Sequence, residues 1–258
     1  MGYTKNVREI VEQIKVADED QLERLVAEYG SDPRAGVAKA LESAEKRMEK
    51  RRAERARVEK MYEPMIEAGP DKVVVGVDEV GRGSIAGPLT VAAVVLPDEP
   101  IIEGLNDSKQ MTPKQRESVA EVIEQRAIAI GMAHIPPADI DRDGMSSSLK
   151  RAMSLAIERT GLEADLVLID GNPVHVHPRE KCIPHGDGTV ACIAAASIVA
   201  KVTRDKMMTE ADSRYPGYGF AKNKGYGSQQ HIDAIRELGL SDFHRRTFCT
   251  SFIQESLF

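Results

Sequence analysis

The chain has 258 residues, 41% of them hydrophobic and 29% charged, with 35 Lys and Arg against 41 Asp and Glu for a formal net charge of −6. That length suits one large domain or a domain with an appendage. The negative balance excludes a protein that coats nucleic acid through a global positive field, and zero Trp with 4% aromatic residues excludes a sequence-tolerant stacking platform. There is no apolar run of about 18 residues and no basic-then-apolar opening, so a membrane span and export both lack support. Cys182, Cys192 and Cys249 form no C-x-x-C pair, which predicts reduced thiols in a cytoplasmic protein.

Val7, Ile10, Val11 and Ile14 fall at i, i+3, i+4, i+7, and Leu22, Leu25, Val26 and Tyr29 repeat the spacing ahead of Gly30, so two short amphipathic helices open the chain. A continuous helix is expected from about Pro33 to Tyr62, where Ala, Glu, Lys, Arg and Met dominate. Its stretch Lys46 to Lys60 sets eight Lys and Arg against Glu49, Glu54 and Glu59. That composition reads as a solvated face before it reads as a nucleic-acid contact, because opposite charges at i,i+4 solubilise any exposed helix. Gly69-Pro70 reads as a hinge, and it divides a helical N-terminal extension, 1–70, from a main domain, 71–258.

Beyond the hinge the pattern becomes strand-like, with Val73 to Val77, Leu89 to Leu96 and Ile128 to Ile135 as short apolar runs. Thr112-Pro113 caps and opens one helix, Ser147 to Arg159 forms a second, and Leu166 to Ile169 is a buried strand ending on Asp170. Ile193 to Met208 and Gln229 to Leu238 supply two more helices before an irregular tail. Adjacent strands followed by alternation with helices indicate an α/β fold, a mixed central sheet flanked by helices.

Asp78 and Glu79 follow a five-residue apolar run directly, and a buried strand end holding two carboxylates is costly without a compensating cation. Open α/β sheets gather sites at the carboxyl ends of strands, so Asp78, Glu79 and Asp170 are candidates for one site, with Asp187 of His185-Gly186-Asp187-Gly188 as a fourth acid. Oxygen donors without a thiolate suit Mg²⁺ or Mn²⁺, and the set outlines a two-metal phosphodiester site. Each acid taken alone reads as a cap or turn residue. Gly81-Arg82-Gly83 lies next to the acids and offers accessible backbone amides to a phosphate or a sugar hydroxyl, while its spacing fits neither a Rossmann nor a P-loop fingerprint. Lys222-Asn223-Lys224-Gly225-Tyr226-Gly227 has the composition of a local backbone-contacting loop, and His244-Arg245-Arg246 adds positive charge. For Arg204 and Asp205, pairing with oppositely charged residues, acids in the case of Arg204, to hold the loops ranks at least level with a functional role. His175, His177, Cys182 and His185 suggest zinc by type, but Pro178 and Pro184 interrupt the loop and favour an ordinary polar loop.

The segments VVVGVDEVGRGSIAGPLTVAAVVL, GLNDSKQMTP, LVLIDGN, HGDGTV, AAASIVAKVTRD, YGFAKNKGYGSQQH and HRRTF, which lie between residues 73 and 248, closely resemble those of bacterial ribonuclease HII, the type 2 ribonuclease H. The resemblance implies the ribonuclease H-like fold with a C-terminal helical part. It implies cleavage of RNA in RNA:DNA hybrids and on the 5′ side of single ribonucleotides in duplex DNA, leaving 3′-hydroxyl and 5′-phosphate ends. It assigns metal binding to Asp78, Glu79, Asp170 and Asp187, sensing of the 2′-hydroxyl and junction phosphate to Gly81, Arg82 and Gly83, a phosphate contact to Lys109, and sensing of the following deoxyribose to Tyr226. His185 stands where many relatives carry Lys. The first 70 residues resemble the N-terminal extensions of some bacterial members, and the tail Gln254-Glu255-Ser256-Leu257-Phe258 is similar to sliding-clamp-binding peptides. A monomer with no membrane association is expected. A catalytically silent hybrid-binding module and a resolvase-type DNA nuclease of the same fold are the alternatives; intact acids speak against the first, and Gly81-Arg82-Gly83 with Tyr226 against the second.

Overall fold

The structure, a computed structural model, describes residues 5–253; the tail Gln254 to Phe258 lies outside them. Two compact units divide at Arg57 and Val58. In the first, α1 (Val7–Val16) and α2 (Glu19–Tyr29) each begin with a capping box, on Asn6 with Glu9 and on Asp18 with Gln21. With the first part of α3 (Ala35–Ile66) they enclose a small core of Ile10, Ile14, Leu22, Tyr29, Val37 and Leu41. The basic stretch of α3 is largely self-paired: Lys46 with Glu42 at 2.6 Å, Arg57 with Glu54 at 2.6 Å and Arg52 with Glu19, while Arg47 donates to the Ile14 and Ala17 carbonyls. These bonds favour the solvated-face reading.

The last turns of α3 belong to the second unit, where Val58, Met61, Tyr62 and Met65 are buried in its main core and the Tyr62 hydroxyl accepts from the Ile102 amide at 3.0 Å. The helix therefore runs past the division between the units and ends only at Ile66, just before Gly69-Pro70.

The sheet of the second unit has strand order β3-β2-β1-β4-β5, from β1 (Val74–Val80), β2 (Leu89–Val95), β3 (Ala129–Ile135), β4 (Leu166–Asp170) and β5 (Glu180–Ile183). The β1/β2 and β2/β3 pairs are antiparallel and the β1/β4 and β4/β5 pairs parallel, the mixed sheet that the sequence predicts. Alternation along the strands makes two cores. Val74, Ala92, Val94 and Leu168 face α4 (Pro113–Arg126), α7 (Ala191–Arg214) and the end of α3. Val75, Val77, Val91, Ala93, Val167 and Ile169 face α5 (Pro137–Asp143) and α6 (Met145–Glu158). Thr112 caps α4 with Gln115, as its sequence predicts. The C-terminal part adds α8 (Phe220–Asn223), α9 (Gln229–Leu238) and α10 (Thr250–Ile253).

Four short elements, α5, β5, α8 and α10, stand where the sequence predicts irregular chain. All are four to seven residues long, too short for periodicity to declare itself against a loop. At the centre of the sheet Gly76 has a packing duty, since a Cβ there would lie 2.2 Å from the Cys192 backbone. Its absence lets α7 lie directly on β1. Among the described residues no helix is long and apolar enough to cross a membrane.

Candidate active site

The register of two parallel strands builds the centre. Val77 pairs with Ile169, so the next residues, Asp78 and Asp170, stand side by side where the β1/β4 pairing ends at its carboxyl edge, as sites of open α/β sheets do. By alternation both share the face of Val74 and Leu168, against α7. Asp78 is buried, and its carboxylate accepts from the Glu79 amide at 2.7 Å. Asp170 accepts from the Gly186 amide at 2.7 Å, which draws the 186–188 turn, and Asp187 with it, toward the strand ends. Asp187, also buried, is met by the Lys109 ammonium at 3.0 Å, and Glu79 by Arg82 at 3.4 Å.

The electrostatics show how poorly Asp78 and Glu79 tolerate their charge. Burial, with the Glu79 and Asp170 charges adding to it, pushes the Asp78 carboxyl up to about 8, and a Ser197 hydrogen bond opposes the shift. Burial also raises Glu79, against the pull of Arg82. Burial disfavours the charged Lys109, but Asp187, Asp107 and Asp78 outweigh it and hold the ammonium above its ordinary range. Buried carboxylates whose mutual repulsion is only part-answered by side-chain cations form a donor set made for a hard divalent cation. Among the described residues no three of them close on one point at ligating distance; each is turned to the protein donor nearest it. The oxygen-only donors and their crowding fit Mg²⁺ or Mn²⁺.

Beside the acids, the Gly81-Arg82-Gly83 loop is fixed from beneath. Gly81 has φ of +82° and a Cβ there would meet the Arg204 Nε at 2.2 Å, while nothing lies within 4 Å of a Cβ on Gly83. The Ile85 and Ala86 amides both donate to the Gly225 carbonyl, at 2.9 and 3.1 Å, joining this loop to the one that carries Tyr226. The Tyr226 ring is 39% exposed and lies over the Arg204 guanidinium, 5.7 Å from its centroid. Arg82 and Lys109 are likewise exposed. One face thus gathers the four acids, the glycine loop, Lys109 and Tyr226.

Two residues play parts that their sequence context did not suggest. Among the described residues Arg204 pairs with no carboxylate: it donates to the Pro88, Ala86 and Lys224 carbonyls and to Ser84 Oγ, at 2.8 to 3.1 Å, and is fully buried. Arg245 adds no surface charge, being buried with its guanidinium on the Gly87 and Arg82 carbonyls. For Arg204 the signal was present, since it falls at helical spacing from Ala200 and Met208 on the buried face of α7. Lys201 and Asp205 do pair, at 2.7 Å. Lys224 is tied to the Asp205 carbonyl and Thr209. The His175 and His177 amides are gathered with those of Val174 and Val176 on the Glu180 carboxylate. Cys192 packs in the core, where burial pushes its thiol up to about 12.

A mixed five-stranded sheet between helix layers, with carboxylates at its central strand ends, defines the class: a nuclease of the ribonuclease H-like fold. The family model described as Ribonuclease HII matches residues 75–251, and that described as Ribonuclease HII N-terminal domain matches residues 6–64. The ribonuclease HII of Lachnoclostridium phytofermentans is 42% identical over 244 residues, 94% of this chain and 96% of that protein. Among solved structures, the PCNA:RNase HII complex from Archaeoglobus fulgidus gives a TM-score of 0.61 at 24% identity over 71% of this chain and 98% of that one. Bst-RNase HIII in complex with Mn²⁺ gives 0.54 at 19%, over 72% and 70%. The chain belongs to the ribonuclease HII family. It is a metal-dependent endoribonuclease that cleaves RNA in RNA:DNA hybrids, which leaves neither the silent module nor the DNA resolvase standing.

Proposed function

We propose that this enzyme also cuts duplex DNA on the 5′ side of a single embedded ribonucleotide, leaving 3′-hydroxyl and 5′-phosphate ends, as ribonucleotide excision and RNA primer removal require. The observation that carries this reading is the joining of the glycine loop to the Tyr226 loop beside the acids. Asp78, Glu79, Asp170 and Asp187 are the residues that would hold two divalent cations, Mg²⁺ or Mn²⁺. Bound there, such ions supply an activated water and neutralise the leaving oxygen. The Mn²⁺ complex of Bst-RNase HIII supports the choice of ion.

The chain's own residues do the selecting. The backbone of Gly81, Arg82 and Gly83 lies against the 2′-hydroxyl, the one group that separates a ribonucleotide from its neighbours. Lys109, exposed beside Asp187, would hold a phosphate. The Tyr226 ring stacks on the next sugar, where it accommodates a deoxyribose and crowds a second hydroxyl. The reading takes a monomer in the cytoplasm as the working form. A sliding clamp is the proposed partner of Gln254–Phe258, supported by the archaeal relative's complex with PCNA.

Tyr226→Ala tests the assignment. Loss of the stack should remove about 1 to 3 kcal/mol of productive binding at a deoxyribose junction. Cutting at a single ribonucleotide should therefore fall more than cutting within a long hybrid when both compete in one tube. An unchanged ratio would take Tyr226 out of this role and leave the metal site as it is.

The N-terminal extension is proposed to be dispensable for chemistry. A chain beginning at Val58 keeps the α3 turns that fill the main core and is expected to fold and cut in Mg²⁺. A chain beginning at Pro70 lacks Val58, Met61, Tyr62 and Met65 and is expected to melt well below it, since each large buried side chain removed costs about 2 to 5 kcal/mol. Equal melting temperatures would return the boundary to residue 70.

A further inference from the structure

The loop that presents Tyr226 is anchored by two buried histidines that the chemistry above does not use. His231 Nδ1 is 2.9 Å from the Tyr226 carbonyl oxygen, His231 Nε2 is 3.1 Å from His244 Nε2, and His244 Nδ1 receives the Ser241 amide at 3.1 Å. The two ends of this chain fix every proton in it. A backbone amide only donates, so His244 Nδ1 is bare and His244 carries its proton on Nε2. A carbonyl only accepts, so His231 carries its proton on Nδ1, and its bare Nε2 takes the His244 proton in the middle. The Ser241 hydroxyl, 2.8 Å from His244 Nδ1, donates to the same bare nitrogen.

We propose that His231 and His244 are a positioning pair for Tyr226: a neutral imidazole relay, locked in one tautomeric order, that runs from Ser241 to the Tyr226 carbonyl and fixes where the ring is offered to the substrate. The proposal rests on the reading of Tyr226 given above. Both histidines are buried, His231 fully and His244 to within 2%, so an alternative order would leave an imidazole nitrogen without a partner. A cationic His231 would set an N–H against the His244 N–H, and a cationic His244 would set one against the Ser241 amide.

The surroundings agree. The rings packed on the pair are Tyr218 and Phe220, and the Tyr218 hydroxyl donates to the Gly239 carbonyl. Arg245, next in the chain, spends its guanidinium on Gly87 and Arg82, and Arg204 is occupied on the carbonyls of the loops nearby. Among the described residues no carboxylate is within ion-pair distance of either ring to stabilise a cation. Burial holds both imidazoles below their ordinary range, His244 at about 4 with His231 adding to the effect. Each would take up a proton more readily in the unfolded chain, so the relay's contribution is complete above the ordinary histidine range and is lost as pH falls toward 4.

Imidazole ¹⁵N shifts of the full-length, histidine-labelled enzyme read the tautomers without any variant. The expected result is His231 as the Nδ1–H form and His244 as the Nε2–H form, both neutral down to pH 5.5. The opposite order, or either ring titrating near pH 6.5, would overturn the relay. The functional arm compares His231→Asn, which keeps a donor at the Nδ1 position, with His231→Gln, which moves it to the Nε2 position. Gln should lower the ratio of single-ribonucleotide to long-hybrid cutting by about threefold to tenfold, the worth of one hydrogen bond, and Asn should restore most of it. Should Tyr226→Ala shift this ratio while His231→Gln leaves it unchanged, the positioning role fails and the Tyr226 assignment stands. Should neither shift it, the Tyr226 assignment itself is what failed. If the Gln variant does not fold, the ¹⁵N measurement on the wild type still decides.

Discussion

Asp170→Asn is expected to lower Mg²⁺-dependent cutting of an RNA:DNA hybrid by about a thousandfold or more, because several kcal/mol of charge stabilisation leave with the carboxylate. Hybrid binding should remain measurable, since the glycine loop, Lys109 and Tyr226 are untouched. Asp78→Asn should behave alike in activity and differently in stability. With its carboxyl held at about 8 in the folded chain against an ordinary 3.8, the folded protein keeps a proton that the unfolded chain has already released. In EDTA the contribution of this carboxyl to stability should therefore be complete below about pH 4 and be lost as pH rises toward 8. Asp78→Asn, with nothing to ionise, should flatten that slope and melt no lower than the wild type at neutral pH. Added Mg²⁺ should reverse the order by stabilising the wild type alone. Near wild-type cutting by Asp170→Asn, or a wild-type and an Asp78→Asn melting temperature in EDTA that keep the same difference across this window, would show that these carboxylates do not share a site.

Why this centre could be read in the sequence is itself a physical matter. Two acids placed directly after a buried apolar run, and a third after another such run, are expensive unless a cation compensates them, and the parallel register of Val77 with Ile169 brings the strand ends together so that one site can serve them all. The helices with strong caps or clear periodicity, α1, α2, α4 and α9, were legible for the same local reasons. What stayed hidden depends on contacts remote in sequence. Nothing local says that Glu180 gathers four amides to frame its loop, or that Tyr62 reaches Ile102 and so carries the end of α3 into the main core. Arginine in a basic-looking run reads as surface charge, and only the folded chain reveals that the Arg245 guanidinium is turned inward onto carbonyls 158 and 163 residues away.

Arg204 shows the same effect at its strongest, and its removal should cause the largest stability loss outside the hydrophobic core. Its guanidinium satisfies three carbonyls, of Pro88, Ala86 and Lys224, together with the Ser84 hydroxyl. It does so with no carboxylate partner among the described residues, and burial holds its pKa below the ordinary arginine range. Replacing a buried charge by an apolar side chain is often harmless where the partners leave with it. Here the partners stay. Arg204→Met keeps the stem and strands four buried acceptors, so a loss of about 3 to 5 kcal/mol is expected. Arg204→Lys should lie between, because one ammonium cannot fan out to all four. The loss should reach function by a defined route: the acceptors sit on the loop after Gly81-Arg82-Gly83 and on the loop that carries Tyr226, and the guanidinium underlies the Tyr226 ring. Where the Lys variant remains folded, cutting at a single ribonucleotide should fall further than cutting within a long hybrid, while the metal concentration for half-maximal activity stays unchanged. If instead that metal requirement rose and the substrate ratio held, Arg204 would be acting on the carboxylates and not on the two loops that it ties together.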